Sequence, residues 1–188
     1  MVRKLYQGYE ELIFLMNRQY LPHDYTYPEL MEVFEQRYGK GEYHAGAFFR
    51  YFYTNGNVDV TKDPAFLENQ GLAEQIALDF RLFLPEIVHN TEEEGAQKLS
   101  LKLLDGAKIE TVLLSMQRYN TLCISSQVGC SWGCSFCRTA KMGFLRNLST
   151  AEIISQVLIA VFVLRKNIRN IVFMGMGEPL DNLDAVLK

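Results

Sequence analysis

The hydrophobic pattern of this chain changes its period near residue 95, and that change limits the folds that the chain can adopt. Before this point, apolar residues recur at helical spacing between Gly and Pro residues. Helices are predicted near residues 12–16, 28–38, 43–53 and 72–83, and the aromatic stripe of the third one is interpreted as core. The acidic run Glu92–Gly95 is interpreted as a linker. We therefore predict a helical accessory domain over residues 1–95.

The second domain, residues 96–188, reads as a β-hairpin followed by parallel βα units. Alternating residues at 98–103 and 109–114 flank Asp105-Gly106, a strong hairpin turn. A strand over 120–126, a helix over 149–165 that starts with a capping box, a strand over 170–174 and a helix from 183 follow. This order predicts an α/β fold. Two parallel strands cannot close a barrel, so we expect an incomplete barrel and a truncation point at Lys188.

A cysteine loop lies between the first predicted βα strand and its helix. Cys130, Cys134 and Cys137 have the spacing C-x3-C-x2-C. An iron–sulfur cluster ordinarily takes four cysteine ligands, so three would leave one iron open, where S-adenosylmethionine can chelate. Structural zinc, with Cys123 or a histidine as fourth ligand, is an equal alternative from the cysteines alone.

Composition and charge limit the other possibilities. The start of the chain does not resemble a signal peptide, and the apolar run at 157–164 is too short to span a bilayer. We therefore expect a cytoplasmic protein that does not associate with a membrane. Net charge is −3, but residues 118–170 carry 7 Lys or Arg against one acidic residue, while residues 1–95 carry 8 against 16. The basic zone can attract phosphates or favour thiolates, and basic residues on ligand-free loops would explain it equally well.

A glycine motif follows the second parallel strand. The segment Gly175–Leu180 has the sequence GMGEPL, in which glycines let the backbone approach a ligand closely and Glu178 offers a carboxylate to an ammonium group. Such a turn is a weak signal alone. The same turn is a stronger signal in this chain, because it follows the three-cysteine loop by one βα unit and a zinc site would have no use for it.

The two motifs, in this order and spacing, resemble the radical-SAM superfamily. The longer segments Leu122–Cys130, Phe136–Leu148 and Gly175–Leu180 resemble the RlmN and Cfr RNA methyltransferases, and the likeness is dense over 97–188. The resemblance implies the first part of a radical-SAM partial barrel, with a [4Fe–4S] cluster and S-adenosylmethionine as cofactors. It implies methylation of adenine C2 in ribosomal and transfer RNA. The alternatives are Cfr-like methylation at C8 and a zinc-dependent RNA-binding module.

The chemistry of that family explains the machinery. Adenine C2 is electron-poor, so it cannot attack a methyl sulfonium as a nucleophile. The family first methylates one of its own cysteines and adds the derived carbon radical to the base. A second cysteine then attacks sulfur to release the product, which implies a disulfide bond. An electron donor such as flavodoxin is a further implied partner, and we expect a monomer.

Residue by residue, the resemblance assigns the cofactor ligands first. Cys130, Cys134 and Cys137 would hold the cluster, and Phe136 would shield it. Gly177 and Glu178 would bind the methionine amine.

The resemblance also assigns two catalytic residues. Cys123 matches the resolving cysteine, and Glu110 matches a proton acceptor. Without the family, Cys123 would be a buried strand thiol and Glu110 a solvated strand residue. Arg138, Lys141 and Arg146 are expected to neutralise RNA phosphates.

The chain departs from the family pattern in three respects. Ala140 replaces a glycine, which is tolerated if its φ is negative. The region 1–95 is acidic, which is unusual for a partner of RNA. The methyl-carrying cysteine of the family is absent from these 188 residues, so we predict that the chain alone does not complete a methyl transfer.

Overall fold

The computed structural model describes residues 20–116 and 118–188, which form two compact units. The first unit ends at Leu82 and the second is Phe83–Lys188, so the division falls earlier than the boundary predicted after residue 95. The helix predicted near residues 12–16 lies outside the described residues. Within the described ranges, no helix combines the length and apolarity needed to cross a membrane.

The first unit is helical, as predicted. Its helices are α1 (Tyr27–Tyr38), α2 (Glu42–Asn55) and α3 (Gln70–Asp79), with short 3-10 turns at Pro22–Asp24 and Pro64–Phe66. A capping box at Thr26 begins α1, because the side chains of Thr26 and Glu29 satisfy each other's backbone N–H groups. Gly39 and Gly56 adopt left-handed conformations that end α1 and α2.

Aromatic rings form the core of this unit. Phe34, Phe48, Phe52 and Phe80 are fully buried. The ring centroids of Phe48 and Phe80 lie 4.7 Å apart, and those of Phe34 and Phe48 lie 5.5 Å apart. Both distances are typical of favourable aromatic pairs. The interpretation of the α2 stripe as core is therefore confirmed for Phe48 and Phe52.

The second unit is built on a mixed five-stranded sheet, which confirms the α/β class. Its strands run in the order β1-β2-β3-β4-β7. The strands are β1 (Glu86–Glu93), β2 (Ala96–Lys102), β3 (Lys108–Ser115), β4 (Asn120–Cys123) and β7 (Ile168–Val172). Neighbours are antiparallel as far as β4, and β4 pairs with β7 in parallel, as the predicted βα unit requires. A separate two-stranded ladder joins β5 (Gln127–Gly129) and β6 (Phe144–Asn147).

One face of the sheet is covered by the crossover helix. That helix, α4, spans Thr150–Leu158 and begins with the predicted capping box at Ser149 and Glu152. It continues as a π-helical turn, Ile159–Val163, rather than as one regular helix to residue 165. A short helix, α5 (Leu183–Leu187), ends the fold. The buried core joins sheet and crossover through Leu99, Leu101, Ile109, Leu113, Leu122, Ile153 and Ile159.

Strand β1 was not predicted, because its turn lacks a typical signature. Glu94 and Gly95 both have positive φ values, 48° and 83°, and they join β1 to β2 as a two-residue hairpin loop. Such loops favour Asn-Gly or Asp-Gly. With glutamate in the first position, Glu92–Gly95 resembled a solvated linker, whereas it is the end of a paired strand and its turn.

The strain at this turn gives a prediction about stability. Replacing Glu94 with asparagine should stabilise the unit by about 0.5–1 kcal/mol, because asparagine tolerates the left-handed conformation better than glutamate does. Urea unfolding of the chain measures this. Glu92→Asn, on the exposed part of the strand, is the control and should not stabilise the protein. A lower midpoint for Glu94→Asn than for wild type would contradict the prediction.

Candidate functional site

The face of the sheet opposite α4 carries both predicted catalytic residues. Along β3, Ile109, Thr111 and Leu113 are fully buried toward the core, so Glu110 lies on the opposite face. Cys123 is paired with Val112 across β3 and β4, and paired residues share a face. Glu110 and Cys123 are therefore diagonal neighbours on this face, about 7–8 Å apart by ordinary strand geometry.

Glu110 is held at both its side chain and its backbone. Its carboxylate accepts a hydrogen bond from Nζ of Lys98 at 3.0 Å, and both side chains are 48% exposed. Its carbonyl oxygen accepts a hydrogen bond of 2.6 Å from Oγ of Ser125. The carboxylate is thus exposed enough to contact a substrate, and the hydrogen bond from Ser125 fixes the backbone of β3 at this position.

Ser125 belongs to a buried network behind the site. Gln156 of α4 is fully buried, and its Oε1 accepts from Oγ1 of Thr111 at 2.7 Å and from the Ser125 N–H at 2.8 Å. Its Nε2 donates to the Ser125 carbonyl at 2.9 Å. Because every one of these polar groups is satisfied, the network holds β3, β4 and α4 in one arrangement.

Cys123 is a buried thiol at the end of β4. Only 9% of the residue is exposed, and burial raises the pKa of its thiol. Among the described residues, no three His, Cys, Asp or Glu side chains meet as a ready metal-ion site. This applies to Cys123 with two of the loop cysteines and equally to the three loop cysteines by themselves.

The cysteine loop starts directly after β5 and remains open to solvent. Cys134 is exposed, and Cys130 and Cys137 are half-buried. A turn joins the last two, since the Cys137 N–H donates to the Cys134 carbonyl at 3.0 Å. All four cysteines lie in the described part of the chain and are free, so the disulfide bond implied by the family chemistry is not present. Three accessible thiols on one loop are a donor set that suits an iron–sulfur cluster.

The backbone after the loop favours the thiolate form of Cys137. Hydrogen bonding from the backbone N–H of Ala140, and from the backbone and side chain of Thr139, lowers the pKa of this thiol. Ala140 is not among the described non-glycine residues with positive φ, which are Glu94 and Arg165. The condition stated for alanine at this position, a φ that is not positive, is therefore met.

The two thiols with opposite shifts should differ in reactivity. In metal-free protein near neutral pH, we expect iodoacetamide to alkylate Cys137 about tenfold faster than Cys123, or more, since thiolate fraction and access both favour it. Timed quenching and peptide mass spectrometry give the two rates. In denaturant the difference should vanish, and equal rates in the folded protein would contradict the prediction.

The glycine segment lies beside the end of β4. The Gly175 N–H donates to the Ile124 carbonyl at 3.0 Å, and the Met176 carbonyl accepts from the Ser126 N–H at 2.9 Å. A Cβ on Gly177, whose φ is 98°, would lie 2.5 Å from Cβ of Gln127. Only glycine permits this close approach, so the segment continues the parallel pairing of β4 and β7 into the loops where α/β folds bind ligands.

Glu178 follows at the mouth of this segment. Its N–H donates to Oε1 of Gln127 at 3.0 Å, and its half-buried carboxylate accepts from the Leu180 N–H at 3.3 Å. The carboxylate thus caps the 3-10 turn Pro179–Asn182. Its predicted contact with the methionine amine remains a prediction.

Asp181 and Asn182 follow the motif directly and join it to its surroundings. The sequence analysis did not identify either residue. Asp181 accepts hydrogen bonds from the side chains of Ser131 and Trp132 in the cysteine loop. Asn182 is buried and donates to the carbonyls of Ser126 and Leu148, at 2.8 Å each. An Asp-Asn pair after a Gly-Pro turn carries no distinctive signal, because short polar residues are common in turns.

The three basic residues expected to bind phosphates differ in their surroundings. Arg138 and Lys141 are exposed next to the cysteine loop. Arg146 instead pairs with Asp105 at 2.8 Å and makes a two-pronged contact with Glu152 at 2.8 Å, and its hydrogen bond lowers the pKa of Asp105. Arg146 is therefore paired with two carboxylates of the protein, contrary to our expectation that it contacts phosphates. The local sequence did not reveal the pairing, because one partner lies 41 positions away and the other 6.

Phe136, the residue expected to shield the cluster, is exposed to solvent. Phe136 is 91% exposed, and Trp132 in the same loop is 56% exposed. Neither ring is part of the buried core of this unit. The shielding role of Phe136 remains a prediction.

Known proteins of similar sequence are named as RNA methyltransferases of the RlmN type. A probable dual-specificity RNA methyltransferase of the RlmN type from Protochlamydia amoebophila is 48% identical over 151 residues, covering 79% of this chain and 41% of that protein. The RlmN dual-specificity RNA methyltransferase of Lawsonia intracellularis is 44% identical over 175 residues, covering 87% and 48%. The chain spans about half the length of the curated relatives that it matches.

The structural comparison gives the same result. The crystal structure of a radical SAM methyltransferase from Sphaerobacter thermophilus superimposes with a TM-score of 0.74 and 35% identity, covering 88% of this chain and 49% of that one. No protein-family model matches the chain. The identity to RlmN proteins and the shared fold together show that the chain matches the RlmN family of radical-SAM methyltransferases over about half of a family member's length.

Proposed function

We propose that this chain is part of an enzyme that methylates adenine C2 in ribosomal RNA, and in transfer RNA, by radical S-adenosylmethionine chemistry. The observation that carries the proposal is the meeting of two distant motifs. Hydrogen bonds from Ser131 and Trp132 to Asp181 join the cysteine loop to the turn after Gly175–Glu178. A cluster and a cofactor that react with each other need such proximity.

The loop residues take the cofactor roles. Cys130, Cys134 and Cys137 would hold a [4Fe–4S] cluster, which, when bound, supplies the electron that cleaves S-adenosylmethionine to a 5′-deoxyadenosyl radical. Residue 177 must be glycine because any side chain there would strike Gln127, and its backbone would face the methionine part of the cofactor. Glu178 would face the methionine ammonium group, so that charge attraction orients the cofactor.

The sheet face supplies the catalytic pair. Cys123 would attack the sulfur that links the protein to the base, so that a sulfur–sulfur bond forms as the sulfur–carbon bond to the base breaks and the product is released. Because burial raises the pKa of Cys123, its thiol is protonated at neutral pH and must lose a proton on attack. Glu110, a diagonal neighbour on the same face, would accept a proton from the base adduct.

The remaining partners follow from the family. Arg138 and Lys141, exposed beside the cysteine loop, would neutralise RNA phosphates, and an electron donor such as flavodoxin would reduce the cluster. All four cysteines have other roles in this assignment, so the methyl-carrying cysteine is not among the 188 residues. We expect a cytoplasmic monomer.

Anaerobic reconstitution tests the cofactor part of the proposal. The chain, treated with iron and sulfide and then reduced, should be brown and give an electron paramagnetic resonance signal that changes when S-adenosylmethionine is added. Colourless protein with stoichiometric zinc, or a signal that ignores the added cofactor, would contradict the proposal.

A chimaera tests the reaction. Joining this chain to the remaining half of the Lawsonia relative should supply the methyl-carrying cysteine that the family assignment requires. Nucleosides digested from treated ribosomal RNA should contain 2-methyladenosine by mass spectrometry. Formation of 8-methyladenosine would contradict the proposed position of attack.

A further inference from the structure

One carboxylate, Asp181, connects the cysteine loop to the glycine segment. Its Oδ2 accepts a hydrogen bond of 3.0 Å from Oγ of Ser131 and one of 2.7 Å from Nε1 of Trp132. Both donors lie in the stretch between Cys130 and Cys134. The contacts join residues 50 and 49 positions apart, so they are tertiary contacts and not part of a local turn.

Asp181 is itself held firmly at its backbone. Its N–H donates to the Glu178 carbonyl at 3.1 Å, and its carbonyl accepts from Nδ2 of Asn147 on β6 at 3.1 Å. The backbone of Asp181 is therefore fixed relative to that of Glu178. Hydrogen bonds to a charged acceptor are roughly twice as strong as neutral ones, so Asp181 can transmit this position to the loop.

The cysteine loop has few other restraints of its own. Cys134 is exposed, and a Cβ on Gly133 would meet no atom within 4 Å. The Cys130 N–H is tied to the Gly143 carbonyl at 3.2 Å, which fixes the start of the loop. Beyond that point, the hydrogen bonds from Ser131 and Trp132 connect the loop to the turn that follows the glycine segment.

We infer that Asp181 is a positioning residue that aligns the cysteine loop with the glycine segment, so that a cofactor held at Gly177 and Glu178 reaches the open iron. This inference rests on the proposed function. Its physical reason is that a misplacement of about 1 Å between reacting groups can reduce a rate by orders of magnitude. The supporting contact is a charged acceptor with two donors on the exposed surface, and it fixes the loop at two neighbouring residues.

The contact itself can be tested without any cofactor. Trp132 is the only tryptophan of the chain, so a nitrogen–proton correlation spectrum shows one indole signal. Asp181→Ala should move that signal and make indole hydrogen exchange about tenfold faster, as loss of a charge-assisted hydrogen bond predicts. Asp184→Ala removes the same charge from an exposed position three residues later and should leave the signal unchanged.

The positioning role is tested on the reconstituted chain. Asp181→Ala should need about tenfold more S-adenosylmethionine than wild type to change the resonance signal of the cluster, and Asp184→Ala should behave like wild type. Asp181→Asn keeps an acceptor oxygen and should restore much of the response. If the Asp181→Ala protein binds no cluster, the cofactor response of Asp181→Asn is compared with that of wild type instead. In a Trp132→Phe background, Asp181→Ala should have a smaller effect.

The outcomes separate the two claims. An unchanged indole signal in Asp181→Ala overturns the contact. A changed indole signal with a wild-type cofactor response overturns the positioning role. Absence of an iron centre in the wild-type chain overturns the proposed function, while the indole measurement still decides whether the contact exists.

Discussion

Replacing Cys134 with alanine should abolish the iron–sulfur centre. Two thiolates from one loop cannot hold the three irons that three thiolates would hold. Because Cys134 is exposed, the substitution should leave the fold intact. Iron content per chain and visible absorption after anaerobic reconstitution measure the loss, and circular dichroism checks the fold. Cys134→Ala protein that retains a full complement of iron would refute the ligand assignment.

Cys123→Ala is the matched control for this experiment. It removes a thiol from β4, on the sheet face and outside the loop, so the cluster should remain. A colourless Cys123→Ala protein would mean that Cys123 is a ligand and that the resolving role is misassigned. In the full-length enzyme, the same variant should stall on its RNA, because nothing would then release the crosslink.

The second large effect is expected at Gly129, immediately before the cysteine loop. Its φ is 76°, and a Cβ there would overlap the carbonyl oxygen of Gly143 and lie 2.9 Å from the Gly143 carbonyl carbon. The obstacle is backbone, so it cannot move aside without separating β5 from β6. Gly129→Ala should therefore lower the free energy of unfolding by about 3 kcal/mol, or prevent folding, from combined strain and overpacking.

Urea unfolding of the chain measures the effect of Gly129→Ala, and Gly133→Ala is its control. Gly133 has no positive φ, and its added Cβ would lie in open space, so its substitution should change stability by less than about 0.5 kcal/mol. Both glycines belong to the same part of the chain, four residues apart. Equal midpoints for the two variants would show that β5 and β6 are not packed as described.

The sequence predicted the elements that depend on local chemistry. The hairpin around Asp105-Gly106, the capping box at Ser149 and the glycine end of α2 all appear where their residues require them. The buried aromatic stripe and the parallel βα unit follow from hydrophobic period. Strand β1 was not predicted, because a Glu-Gly pair is not a typical hairpin turn. Strands β5 and β6 were not predicted because they are too short to show a hydrophobic period.

The candidate site divides in the same way. The cysteine spacing and the glycine motif were visible as chemistry, because each is a short run whose residue types limit what it can bind. The commitment of Arg146 to Asp105 and Glu152 was not visible, since a basic residue looks the same in sequence whether it pairs with a carboxylate or waits for a phosphate.

By itself, then, the amino-acid order indicated which loops are candidates for holding a cluster and a cofactor, and it predicted most of the helices and strands but not β1, β5 and β6. Tertiary structure alone decided that Glu110 and Cys123 share a sheet face, and that Asp181 meets Ser131 and Trp132. The reason is physical: strand register and contacts across about 50 positions are set by packing of the whole unit, and a shift of one residue would move every side chain to the other face.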